Sequence, residues 1–186
     1  MSLFDLFLVA VGLSMDAFAV SICKGLSVSK LQLRHALLCG LYFGAFQGLM
    51  PLIGYLLGSS FSAWVTKAGA WLAFLLLALI GANMIRESLG EEDDAGGDDF
   101  SLKAMLPLAI ATSIDALAIG VSFAAVEVAI LPAVLLIGCT TFVLSGVGVK
   151  VGAVFGAKYR ALAERAGGIV LILIGLKTLM SGLGLL

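Results

Sequence analysis

The chain has 186 residues, of which 61% are hydrophobic and only 12% charged, with a formal net charge of -1 at pH 7. A soluble domain of that length needs a polar shell, with about 25% charged residues, so an ordinary cytosolic enzyme, a disordered chain and a secreted disulfide scaffold are all excluded. The few basic residues are scattered and form no stripe, which argues against a nucleic-acid partner; the partner that this composition requires is a lipid bilayer.

A helix crosses the hydrocarbon core with about 20 mainly apolar residues. Six stretches meet that length: 4–23, 36–58, 69–88, 102–126, 130–153 and 167–185. The first is expected to stay as a span and not to be removed as a signal peptide, because it lacks a basic leader and carries Asp5 and Asp16. Pro51 should kink the second, whereas Pro107 and Pro132 read as lying near helix entrances. The connections after spans 1, 3 and 5 hold Lys24, Lys30, Arg34, Arg86, Lys103, Lys158, Arg160 and Arg165, against Lys67 alone on the other side. By the positive-inside rule the first set is cytoplasmic and both termini face outward. Residues 90–101, with Glu91-Glu92-Asp93-Asp94 and Asp98-Asp99, read as an acidic cytoplasmic linker, solvated and flexible. The domain reading is a three-helix unit over 1–89, this linker, and a second three-helix unit over 102–186.

The two units repeat one another. Ser14-Met15-Asp16-Ala17-Phe18-Ala19-Val20 in span 1 returns as Ser113-Ile114-Asp115-Ala116-Leu117-Ala118-Ile119 in span 4. Gly40, Gly48, Gly54 and Gly58 in span 2 pair with Gly138, Gly146, Gly152 and Gly156 in span 5, and Ile80-Gly81 pairs with Ile174-Gly175. Three spans per unit place the second upside down relative to the first, so the fold expected is an all-α membrane protein of six transmembrane helices built as two inverted three-helix repeats. Secondary transporters use that plan, with the substrate near the midplane where the halves meet. Gly40, Gly44 and Gly48, and likewise Gly148, Gly152 and Gly156, form smooth ridges on which neighbouring backbones can close in. Spans 1 and 4 should be neighbours, with spans 2 and 5 packed through these ridges.

Asp16 and Asp115 carry the chemistry. Each lies deep in an apolar span, where an acid costs about 2.5–3.5 kcal/mol to insert, and each holds the equivalent place in its repeat. No basic residue is expected at matching depth, since Lys150 and Lys177 lie nearer span ends and can snorkel. A bound divalent cation is then the natural partner, its shell completed by Ser14, Gln47, Asn83, Thr112 and Ser113, each of which could equally serve an interhelical hydrogen bond. Oxygen donors suit magnesium, calcium or manganese; Met15 could add a softer donor, and His35 reads as interfacial.

The segments 14–19 with Lys24-Gly25, Phe43-Gly44 through Pro51-Leu52-Ile53-Gly54, and Ala111-Thr112-Ser113-Ile114-Asp115-Ala116 resemble the manganese efflux pump (MntP) family of the lysine-exporter superfamily. The resemblance spans essentially all six stretches. It implies a bacterial inner-membrane exporter with manganese as transported substrate, no permanently bound cofactor, and Asp16 and Asp115 as its intramembrane acids. No nucleotide-binding motif is present, so the chain reads as a secondary transporter and not an enzyme, with exchange for protons open to a carboxylate site. The alternatives are export of another divalent metal or of amino acids on the same scaffold, or a membrane thiol redox carrier using Cys23 and Cys139. Oligomeric state is not legible at this level.

Overall fold

The computed structural model describes residues 3–28, 30–57, 70–71, 74–75, 77–79, 81–82, 85–86, 99–125 and 128–185, the side chains of 125, 156–164, 178 and 182 excepted. The described elements are helical: α1 (Leu3–Leu26), α2 (Leu33–Leu57), α3 (Leu102–Thr112), α4 (Ile114–Ala125) and α5 (Ile130–Gly182), with further helical residues between 70 and 86. Leu3–Leu26, Leu33–Leu57 and Ile130–Phe155 are each long and apolar enough to cross a membrane, and α3 with α4 forms a fourth such unit bent by 43°. Large apolar side chains such as Phe4, Leu41, Leu135 and Phe155 point outward. A bilayer is the solvent that makes such a surface stable.

The buried seams are made of small residues. Ala10, Ser14, Ala17, Ser21 and Gly25 line one face of α1, at the three- and four-residue spacings that keep a stripe on one side of a helix. They meet Thr141, Gly148 and Gly152 of α5: Ser14 touches Thr141, Gly148 faces the Phe18 carbonyl, and Gly152 faces Ile22 and Gly25. Numbers rise together along both helices, so α1 and the first arm of α5 run parallel. Against α2 the same arm runs antiparallel, with Gly40 at Phe142, Gly44 at Gly138 and Gly48 at Val134. The expected span 2–span 5 ridge contact is therefore present, but Gly148 and Gly152 serve α1 instead.

As one straight helix, the 53 residues of α5 would extend about 80 Å. Contacts rule this out. Gly152 lies against Gly25, while the Gly167 carbonyl accepts a hydrogen bond from Cys23 Sγ at 3.5 Å. The two arms, before Phe155 and after Gly167, therefore run in opposite directions along α1. The second arm also meets the helical residues of 70–86, antiparallel to them, with Gly81 at Gly168 and Phe74 at Gly175.

Three expectations change. Spans 1 and 4 touch but are not packed along their length, because α1 gives its small-residue face to α5. The fourth span is broken at Ser113: the Ser113 amide bonds the Ile110 carbonyl at 3.1 Å, a three-residue step, and Thr112 Oγ1 donates to the Leu108 carbonyl at 2.9 Å. Such back-bonding competes with the regular ladder and bends helices. Pro107 sits within α3 and not at its entrance.

Most of the acidic connection lies outside the described residues; at its end Phe100 is packed, between the exposed Asp99 and Ser101. Phe100 is 6% exposed and stacks on His35, itself 3% exposed, with ring centroids 4.7 Å apart. Lys24 Nζ lies 5.2 Å from the Phe100 ring centroid and donates to the Asp99 carbonyl at 2.9 Å. His35 is thus buried under an aromatic cap in the first turn of α2. The anchor is mainly a ring and a backbone carbonyl; the Asp99 carboxylate adds one hydrogen bond, accepted from the Ser101 amide at 2.8 Å, which the neutral oxygen of an asparagine can also accept. Neutralising Glu91, Glu92, Asp93, Asp94, Asp98 and Asp99 together is expected to leave transport at saturating substrate within about twofold, the scale of solvated surface charges. A flux assay on reconstituted protein checks this, and loss of transport with normal incorporation would refute it.

Candidate metal centre

Asp16 stands near the middle of α1, and Asp115 opens α4 immediately after the helix break. Both are partly buried, and they interact electrostatically with each other. Within a turn of them in the chain, or bonded to their helices, lie neutral oxygens. Ser14 is fully buried, donates to the Ala10 carbonyl at 2.6 Å and shares a 2.7 Å hydrogen bond with Thr141. Gln47 is fully buried and its Nε2 donates to the Leu13 carbonyl at 2.6 Å, one turn from Asp16, while its Oε1 has no partner. Ser113 at the break is also fully buried with an unpartnered Oγ. Thr112 spends its hydroxyl on α3 backbone. Asn83 lies outside the described residues.

A buried polar atom left without a partner costs about 1–3 kcal/mol. Gln47 Oε1 and Ser113 Oγ therefore mark places where a cation or water would be stabilised, and both are hard oxygen donors of the kind that hold divalent ions. Among the described residues no group of three or more His, Cys, Asp or Glu is assembled. Any ion held here would rest on two carboxylates and neutral oxygens, a donor set weaker than a structural metal cage.

The expectation that no basic residue reaches this depth is corrected. Lys177 Nζ lies 3.9 Å from Asp16 Oδ1 and interacts electrostatically with Asp115 as well. The physical reason is the reversal within α5, which lays the second arm alongside α1 and carries the lysine back to the acid. Met15, 49% exposed, points outward beside the inward-facing Ser14 and is removed from the donor set.

A family model described as "Putative manganese efflux pump" matches residues 30–179. The chain belongs to the manganese efflux pump (MntP) family. Relatives bearing that family's name include proteins of Desulfitobacterium hafniense, 57% identical over 98% of this chain and 96% of the relative, and Acetivibrio thermocellus, 54% identical over 100% and 94%. One of Campylobacter jejuni is 50% identical over 98% of both. No solved structure matches the chain. As a member of the MntP family, with several helices able to cross a bilayer, it is a multi-pass membrane protein.

Sequence reasoning missed three residues of this MntP chain's polar centre. Ser145 is fully buried with an unpartnered Oγ, and Thr141 is fully buried one turn before it. Ser145-Gly146 occupies the place of Gln47-Gly48 when the glycines of spans 2 and 5 are aligned, so extending the repeat beyond the glycines would have found it. Lys177 is the third; by the Ile80-Gly81 and Ile174-Gly175 pairing it falls opposite Asn83. The thiols tell against the redox alternative. Cys23 is buried beside Gly167, Cys39 bonds Ser21, and Cys139 is exposed. Cys23 lies level with the α5 residues 149–152, about 15 Å along the helix from Cys139, far beyond disulfide reach.

Proposed function

We propose that this chain is a secondary exporter carrying divalent manganese out of the cytoplasm across a bacterial inner membrane, through a site built on Asp16 and Asp115. The observation that carries the reading is two repeat-equivalent carboxylates that interact within an apolar bundle, beside a helix break and unpartnered buried oxygens. Manganese as cargo is supported by the names of the relatives and by the hardness of the donors. Ser14, Gln47, Thr112 and Ser113 belong to the same reading as neutral donors, with Asn83 as their counterpart on span 3. A carboxylate that gives up a metal ion can take a proton, so import of protons in exchange completes the cycle.

Six spans in two inverted repeats are part of this proposal. Strict alternation makes span 5 parallel to span 1 and antiparallel to span 2, and span 6 antiparallel to spans 1 and 3. All four relations agree with the packing directions above. A broken helix at the substrate is a recurrent device of such transporters, because backbone freed at the break can face an ion. The Lys and Arg placement puts both termini outside.

The test is transport into everted membrane vesicles from cells lacking their own manganese exporter. Manganese should accumulate only in vesicles holding this chain, acidification of the lumen should speed it, and amino acids should not compete. Accumulation of an amino acid or of a different divalent metal, with none of manganese, would replace the reading with one of its alternatives.

A further inference from the structure

Lys177 has no part in the proposed ion shell, yet it is placed on it. Its Nζ lies 3.9 Å from Asp16 Oδ1, and it is electrostatically coupled to both acids of the pair. We infer that Lys177 is a tethered displacing cation: its ammonium competes with the divalent substrate for the Asp16 carboxylate and drives the ion's release. The inference rests on the reading of Asp16 and Asp115 as the ion-binding pair.

The geometry requires the competition. A divalent ion bonded to Asp16 Oδ1 at about 2.0–2.6 Å takes the ground on which the ammonium stands. A single positive charge and a double one cannot both sit within a few ångströms of the same oxygen in a poorly solvated place. The mobility needed is built in. The Lys177 side chain is 65% exposed against 19% for Asp16, so the lysine can swing toward the membrane boundary on its four-carbon stem while the acid stays put. Swinging back, it neutralises the carboxylate that the departing ion leaves bare. The device is one-sided: the matching position in the first repeat is Asn83, which has no charge, so only one half carries the competitor.

Three variants and one labelling measurement test this. In purified protein in nanodiscs, with free manganese followed by its electron paramagnetic resonance signal, Lys177→Gln should bind manganese about tenfold more tightly, the effect of losing one neighbouring charge. In proteoliposomes the same variant should turn over more slowly at saturating manganese, because release is impaired. Lys177→Arg should keep affinity near that of the parent chain, whereas Lys177→Met should resemble Lys177→Gln. In the unaltered chain, saturating manganese should raise acetylation of Lys177 by an amine-reactive ester, read by mass spectrometry, since the ammonium is set free. Unchanged or weaker binding by Lys177→Gln, or labelling that manganese does not raise, overturns the inference; the labelling result stands even where a variant misfolds. Failure of the underlying site reading looks different: manganese would then bind equally well to Asp16→Asn and Asp115→Asn.

Discussion

Asp16→Asn and Asp115→Asn are each expected to lower manganese flux by about a hundredfold or more, with the protein still inserted in the membrane. The amide has nearly the shape of the carboxylate, so packing around α1 and α4 is kept. What is lost is one negative charge facing a doubly charged ion. Removing one partner of a buried charge pair costs about 3–5 kcal/mol, which corresponds to a hundredfold or greater loss of binding. Water cannot compensate at this depth, and Gln47 Oε1 and Ser113 Oγ supply dipoles only. The pair also predicts non-additivity: the double variant should be little worse than either single one, because an ion that has lost one carboxylate is already poorly held. Flux into proteoliposomes, normalised to incorporated protein, is the measurement. Wild-type flux from either variant would exclude the two-carboxylate site.

The second large effect is on the fold. At Gly152 an added methyl would meet the Ile22 carbonyl, and at 2.9 Å both Gly25 Cα and the Leu26 amide. All three are backbone, so no side chain can rotate away and α1 must part from α5. Overpacking of a closed seam costs about 1–3 kcal/mol, and Gly152→Leu should exceed that range, because its whole side chain has to be housed. Gly12 provides the contrast on the same bundle: a methyl there meets nothing within 4 Å, so Gly12→Ala should be neutral or slightly stabilising. Thermal unfolding in detergent, followed by loss of the monodisperse peak in size-exclusion chromatography, separates the two. Equal melting of Gly152→Leu and the parent chain would show that the α1–α5 seam is not closed as described.

Asp16 and Asp115 were legible in the sequence because an acid inside an apolar stretch is a local anomaly, visible without knowing any neighbour. Gln47 was legible for the same reason, although its buried, unpartnered oxygen was not, since satisfaction of a hydrogen bond depends on what another helix brings. The hydroxyls of Thr141 and Ser145 passed unnoticed, being cheap enough in a helix to carry no signal until both are found buried, Thr141 against Ser14 of α1. Lys177 was read by its distance from a span end. That criterion fails where the neighbouring helix is offset along the membrane normal, because depth is then set by packing and not by position in the sequence.

What the sequence by itself determined is the solvent and the helical class, with apolar stretches that the described helices match, and it singled out the two acids. Hydropathy and periodicity are sums over neighbouring residues, and they survive without tertiary contacts. Only the tertiary structure decided that α1 gives its small-residue face to the first arm of α5, that the fourth span breaks at Ser113, that Phe100 caps His35, and that Lys177 returns to Asp16. Each of these depends on which backbones can approach closely and on which polar atoms find partners. Both are properties of surfaces meeting in space, set here by glycines whose effect is felt on another helix.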